Sequence, residues 1–260
     1  MTRFKIHEIW KKLRLRVAER FWIPYRVWLR LLASLVGRIV ILGSLAAGAW
    51  WGLHALPDSI NPFSPIELTD PVGPLSNVKL RLLQPRYEAC LATLKRRGVE
   101  VERSTITSTS EDCGMEKGVK LKKARLIHGA PLDMSCGMAA ALLIWERQVL
   151  VPQSEAMLGS PVTRVRHYGT YACRNMNNAK EGRRSAHATA RAIDIAGFDL
   201  ADGRKISVLR DWGKETPEGQ FLAKVHEDAC RVFNVVLGPE YNALHANHFH
   251  FDMSIWSVCK

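Results

Sequence analysis

The sequence predicts an α+β domain, a small antiparallel sheet with packed helices, preceded by one N-terminal transmembrane helix. Three observations lead there. Residues 39–56, IVILGSLAAGAWWGLHAL, carry no charge and follow a strongly basic stretch. Past residue 86, segments with apolar residues at helical spacing mix with short segments that alternate and are rich in β-formers. All six cysteines lie after the uncharged stretch, as in a domain exported to an oxidising compartment.

The charge distribution supports the first of these. The chain has 260 residues, is 47% hydrophobic and carries a net charge of +12, which is enough apolar material for one full-sized domain with its own core. Residues 1–38 hold ten Lys/Arg against Glu8 and Glu19. The remainder is nearly balanced, so the basicity marks a membrane neighbour and not a nucleic-acid surface. Trp22, Tyr25 and Trp28 lie before the apolar run and Trp50 and Trp51 near its end, where interface aromatics belong. Residues 1–30 read as a basic cytoplasmic segment and 31–56 as the transmembrane helix, with Arg38 snorkelling to the interface. The positive-inside rule then puts the remaining chain on the side of the membrane away from the cytoplasm. The competing reading is a cleaved signal peptide, for which AGA at 47–49 is a passable site. The long basic segment favours the anchor.

Residues 57–79 hold five prolines, and 57–85 reads as a linker, with the folded domain at 86–260. RYEACLATLKRRG has helical spacing and a stop at Gly98. VKLKKARLI reads as a strand. MSCGMAAALLIWERQVL reads as a buried helix capped by Asp133 or Ser135. TRVRHYGTYAC is a strand, RNMNNAKEGRR a loop, and RAIDIAGFDL a strand that turns at ADG into a partner strand, RKISVLRDW. PEGQFLAKVHEDACRVF is an amphipathic helix with Pro217 at its start. NVVLG and HFHFDMSIW close the domain as strands. Three disulfides are expected. The one pairing suggested by proximity in sequence is Cys90–Cys113, and the absence of a CxxC pair argues against a zinc knuckle.

The stretch HANHFHFD, residues 245–252, holds three of the nine histidines. On a strand, the side chains at 248, 250 and 252 share one face, while Phe249 and Phe251 turn to the core. Neutral imidazole is the commonest metal ligand, and a catalytic zinc site needs three protein ligands. The strand supplies one or two. SAHATARAIDIAGF, residues 185–198, is the source of the rest. There His187 lies seven residues before Asp194, and Asp194 sits between two isoleucines. A carboxylate so placed is a metal ligand or a buried ion pair with Arg174 or Arg191, because burying it alone is costly.

Ser185, His187, Ala192 and Asp194 match the S-x-H-x-x-G-x-A-x-D signature of the zinc D-alanyl-D-alanine peptidases, a superfamily that includes murein endopeptidases and the Hedgehog signalling domain. The family glycine is Ala190 here. HFH resembles the H-x-H that supplies the last ligand. More specifically, CGMAAAL, YGTYACR, SAHATARAIDIAGF, FLAKVHEDACRVFNVVLGPEYNALHANHFHFD and Cys259, in that order, resemble the bacterial extensin-like C-terminal domain family over residues 86–260. The resemblance implies that His187, Asp194 and His250 bind Zn2+. His248 would act as general base or stabilise the transition state, with His245 a second base or an orienting group. Arg174 would hold a substrate carboxylate or developing oxyanion, and Ser185 would lie beside the substrate. Many relatives carry an acid where Asn247 stands, and an amide cannot take a proton. The implied substrate is a peptidoglycan peptide, the implied activity zinc-dependent peptide-bond hydrolysis. A non-hydrolytic zinc-containing cell-wall module is the alternative. His226, His167 and His128 read as surface or core residues, Trp256 as core or anchor packing, and Asp252 as a strand-end cap in preference to a partner for an imidazole. Neither the bond cut nor the oligomeric state is legible.

Overall fold

The computed structural model describes residues 3–58, 60–61, 64–123, 126 and 131–260, and divides the chain into two units, Met1–Leu56 and Pro57–Lys260. The first is one helix, α1 (Arg3–His54). Within it Tyr25–His54 is long and apolar enough to cross a membrane. Leu42 and Leu45 are each 65% exposed, an apolar surface that water does not favour.

The second unit begins earlier than the sequence predicts. Ile66 and Leu68 are buried in its core, and α2 (Ser76–Leu83) adds Leu80 and Leu83. Buried Lys79 ties this stretch together, donating to the Asp58 carbonyl and, at 2.6 Å, to Ser64 Oγ. Several residues of the segment predicted as a linker thus pack into the core. Its prolines break the apolar periodicity without preventing burial. Residues 59, 62 and 63 of it lie outside the described residues.

The next helix, α3 (Tyr87–Arg96), is followed by Gly98 at φ +68°, a left-handed stop that glycine adopts freely. An antiparallel sheet follows, β1 (Glu100–Ile106), β2 (Met115–Lys123) and β3 (Leu132–Ser135), in that order. Of the predicted strand VKLKKARLI, residues 119–123 lie in β2, while 124, 125 and 127 are outside the described residues, as is His128. The long apolar helix starts at α4 (Cys136–Trp145). Ser135 is its cap, its Oγ accepting the Met138 N–H at 3.3 Å. The helix passes through a π turn at Glu146–Leu150 into α5 (Val151–Leu158).

The larger sheet contains β4 (Val162–Gly169), β5 (Ala192–Leu200), β6 (Lys205–Ser207), β7 (Val235–Leu237), β8 (Phe249–Asp252) and β9 (Val258–Cys259). Its order is β4-β5-β8-β7-β9, with β6 on β5, and every pair is antiparallel except β7–β9. The predicted strand RKISVLRDW stops early. After Ser207 the chain turns into α6 (Val208–Asp211), and Asp211 Oδ2 accepts the Ser207 N–H at 2.8 Å. The amphipathic helix is α7 (Pro217–Ala229), capped by Thr216.

Behind β8, Phe249 and Phe251 are fully buried, as strand alternation predicts. Trp145 of α4 meets Phe251 edge-on at 5.3 Å, and its indole N–H donates to the Val225 carbonyl of α7 at 3.2 Å. This aromatic layer backs the strand that carries the histidines.

All six cysteines are paired, as Cys90–Cys136, Cys113–Cys173 and Cys230–Cys259. Three disulfides are as expected, but the Cys90–Cys113 pairing is not. Cys90 faces inward from α3 and meets Cys136 at the start of α4, both buried. Cys113, in the β1–β2 connection, instead reaches Cys173, next to Arg174.

Candidate metal centre

Strand register builds the centre. Asp194 of β5 lies directly across from His250 of β8. Ile193 and Ile195 point into the core at 0% exposure, so Asp194 projects from the opposite face, toward His250. His187 arrives from the 3-10 turn Ala186–Thr189 that leads into β5. Ser185 caps this turn, its Oγ accepting the His187 N–H at 3.3 Å. Ala190 closes it at φ +51°, a left-handed position that glycine fills without strain.

The three ligand atoms form a near-equilateral triangle. His187 Nε2 lies 3.0 Å from Asp194 Oδ1 and 3.2 Å from His250 Nδ1, and His250 Nδ1 lies 2.9 Å from Asp194 Oδ1. All three residues are buried. The outer nitrogens decide what faces inward. His187 Nδ1 donates to the Thr170 carbonyl at 3.1 Å, and His250 Nε2 donates to Asp252 Oδ2 at 3.1 Å. The inner nitrogen of each ring is thereby aimed at the carboxylate oxygen, to which it hydrogen-bonds when it carries a proton and beside which it offers a lone pair when a metal replaces that proton. Ligand atoms this close in a buried site need positive charge among them, which protons on the rings or a metal cation supplies. Two imidazoles and a carboxylate, each ring braced by an oxygen acceptor, are a donor set that fits a zinc ion with a further position open. His187, Asp194 and His250 could hold a metal ion.

The electrostatics agree. Burial pushes the Asp194 carboxyl up, but hydrogen bonds and charge from His187 and His250 outweigh it and hold the group far below the usual carboxylate range. Burial pushes His250 down, yet Asp194 and Asp252 raise it to about 9. Asp252, predicted as a strand-end cap, is a partner of His250, while its other oxygen accepts the Ser254 N–H at 2.8 Å.

The remaining predicted residues gather around the triad. Arg174 Nη2 lies 3.7 Å from Asp194 Oδ2, so this aspartate serves both the histidines and an arginine. His248 Nε2 lies 3.5 Å from Asp194 Oδ1. Arg174, Ser185, His245, His248 and His250 line a pocket of about 130 Å³, which Leu244 and Tyr241 bound on an apolar side. His245 is driven down to about 4, by burial first and then by His250 and His248. His248 is also lowered by burial, with Asp194 opposing. Sequence reasoning missed three contributors, none with a local signal: the Thr170 carbonyl, Tyr168, whose ring meets His248 edge-on at 5.8 Å, and Tyr241, which meets His245 at 5.3 Å. Trp256 is 52% exposed, with the Arg183 guanidinium 4.7 Å over its ring. It is not packed inside the core.

Comparison with curated proteins and with solved structures returns no match. A family model, the extensin-like protein C-terminus, matches residues 88–260, a span that includes the whole triad. The chain belongs to the extensin-like protein C-terminus family.

Proposed function

We propose that the chain is a membrane-anchored zinc metallopeptidase that hydrolyses peptide bonds of peptidoglycan. The observation that carries the reading is the triangle of ligand atoms from His187, Asp194 and His250, set beside a neutral imidazole and a guanidinium in a pocket. These three residues would hold Zn2+. Bound there, such an ion would supply Lewis acidity, making water more acidic and polarising a carbonyl. His248, kept neutral by burial, takes the proton that the attacking water gives up and passes it to the departing amine. Arg174, 34% exposed and close to Asp194, offers a fixed fork to a substrate carboxylate or the developing oxyanion. Ser185 borders the same pocket, and His245 stands behind His248 as the second base candidate. The likeness of Ser185, His187, Ala192 and Asp194 to the zinc D-alanyl-D-alanine peptidase signature supports the substrate class. The basic segment 1–30, the apolar helix and three disulfides support an inner-membrane anchor with its N-terminus in the cytoplasm and residues 57–260 in the periplasm.

Purified muropeptides test the activity. The native chain releases new peptide products and His187→Ala does not; equal release by both sinks the hydrolase. One observation favours a second reading, a zinc-containing wall-binding module without turnover: Asn247 stands where an acid would otherwise help move the proton. Zinc without product release supports that module. Elemental analysis tests the metal. About one zinc per chain is expected, and iron in its place would redirect the site toward oxygen chemistry.

A further inference from the structure

Two histidines of the pocket lie outside the triad, and an asparagine holds each by the same ring nitrogen. His245 Nδ1 is 2.7 Å from Asn242 Oδ1, and His248 Nδ1 is 2.8 Å from Asn247 Oδ1. An amide oxygen only accepts, so each Nδ1 carries the hydrogen and each Nε2 keeps its lone pair. Asn242 cannot be turned round. The same Oδ1 accepts the Leu244 N–H at 3.0 Å as the cap of the turn Ala243–His245, and its Nδ2 donates to Asn177 Oδ1 at 3.4 Å. His248 Nε2 lies 3.5 Å from Asp194 Oδ1, longer than a normal N–H···O bond, so the carboxylate does not hold a hydrogen on that nitrogen.

We infer that Asn242 and Asn247 are positioning residues that lock His245 and His248 as Nδ1–H tautomers, so that His248 presents the Nε2 lone pair as the proton acceptor. This rests on the hydrolase reading above and explains how a site with an amide at position 247 still has a base. Unbraced histidine side chains in water favour the opposite, Nε2–H tautomer, so the lock has an effect to measure. An amide also fixes the ring without adding a negative charge beside it.

The test uses the full chain in detergent micelles with 15N-labelled histidine. Long-range 1H–15N correlations are recorded at pH 7.5 and assigned with single His→Gln variants. Nδ1–H tautomers are expected at both His245 and His248. Asn247→Leu shifts His248 toward Nε2–H, leaves bound zinc unchanged, and lowers muropeptide turnover at least about tenfold. Asn247→Asp, whose carboxylate also accepts from Nδ1, restores the native tautomer. His248 found as Nε2–H in the native chain overturns the inference, and this result needs no variant to fold. So does an unchanged tautomer in Asn247→Leu. A native chain that shows both Nδ1–H signals but releases no muropeptide product upholds the lock and sinks the hydrolase.

Discussion

His250 and His245 sit 5.8 Å apart, ring to ring, yet their surroundings drive them in opposite directions. His250 bridges two carboxylates, Asp194 and Asp252, which raise it to about 9 against the pull of burial. His245 is braced by an amide, and burial with two neighbouring imidazoles lowers it to about 4. The difference shows that burial alone does not set a histidine's charge: two carboxylates beside the ring hold a proton on it, and an amide beside the ring leaves it neutral.

The largest expected effect breaks that division directly. His250→Ala removes the bound metal, whereas His248→Ala keeps a full equivalent and loses turnover, both read by elemental analysis and muropeptide digestion. Loss of zinc in His248→Ala would mean that ligand and base have been exchanged.

Next comes the clamp beside Arg174. Replacing Cys113 and Cys173 by serine opens a loop with a sequence separation of 60, which the chain-entropy model puts at about 4 kcal/mol of stability. Chemical denaturation of the double variant measures it.

His226 sharpens the comparison, because it is buried with no carboxylate behind it. Its Nε2 has no hydrogen-bond partner among the described residues, and burial lowers it from 6.5 to about 4, with a backbone contact at Leu237 opposing. Between those values the unfolded chain binds the proton and the folded one does not, so stability rises with pH. This contribution is fully present above about pH 6.5 and is lost as pH falls toward 4, up to about 3 kcal/mol in all. His226→Leu should flatten that part of the pH–stability curve, and an unchanged slope refutes the assignment.

Smaller effects are expected at two supporting positions. Asp252→Asn removes the carboxylate behind His250 and should weaken zinc binding about 10- to 100-fold, measured by competition with a chelator. Ala190→Gly relieves a left-handed alanine at about 1–2 kcal/mol. It also loses a buried methyl and frees the unfolded chain, so thermal melting should move by less than about 1 kcal/mol.

Much of the centre was legible because its signals are local. Alternation places 248, 250 and 252 on one face, the two isoleucines around Asp194 announce a buried carboxylate, and the S-x-H…D spacing joins the two. The exposed, charged β1 has little apolar alternation to read, and β3 alternates over only four residues that run into the helix; both went unseen. Ile66 and Leu68 are hidden among prolines. Asn247 was read for the proton it cannot take, and only the fold shows what its oxygen accepts.

The sequence by itself determined the apolar helix, the three-disulfide chemistry, the kinds of ligand and the faces that Asp194 and His250 take on their strands. These depend on composition and on the period of an isolated element. The tertiary structure alone decided which cysteines meet, that β5 and β8 pair with Asp194 opposite His250, and which oxygen stands behind each imidazole. Those depend on contacts between residues far apart in the chain, where packing of the aromatic layer and the sheet register sets distances that no local pattern encodes.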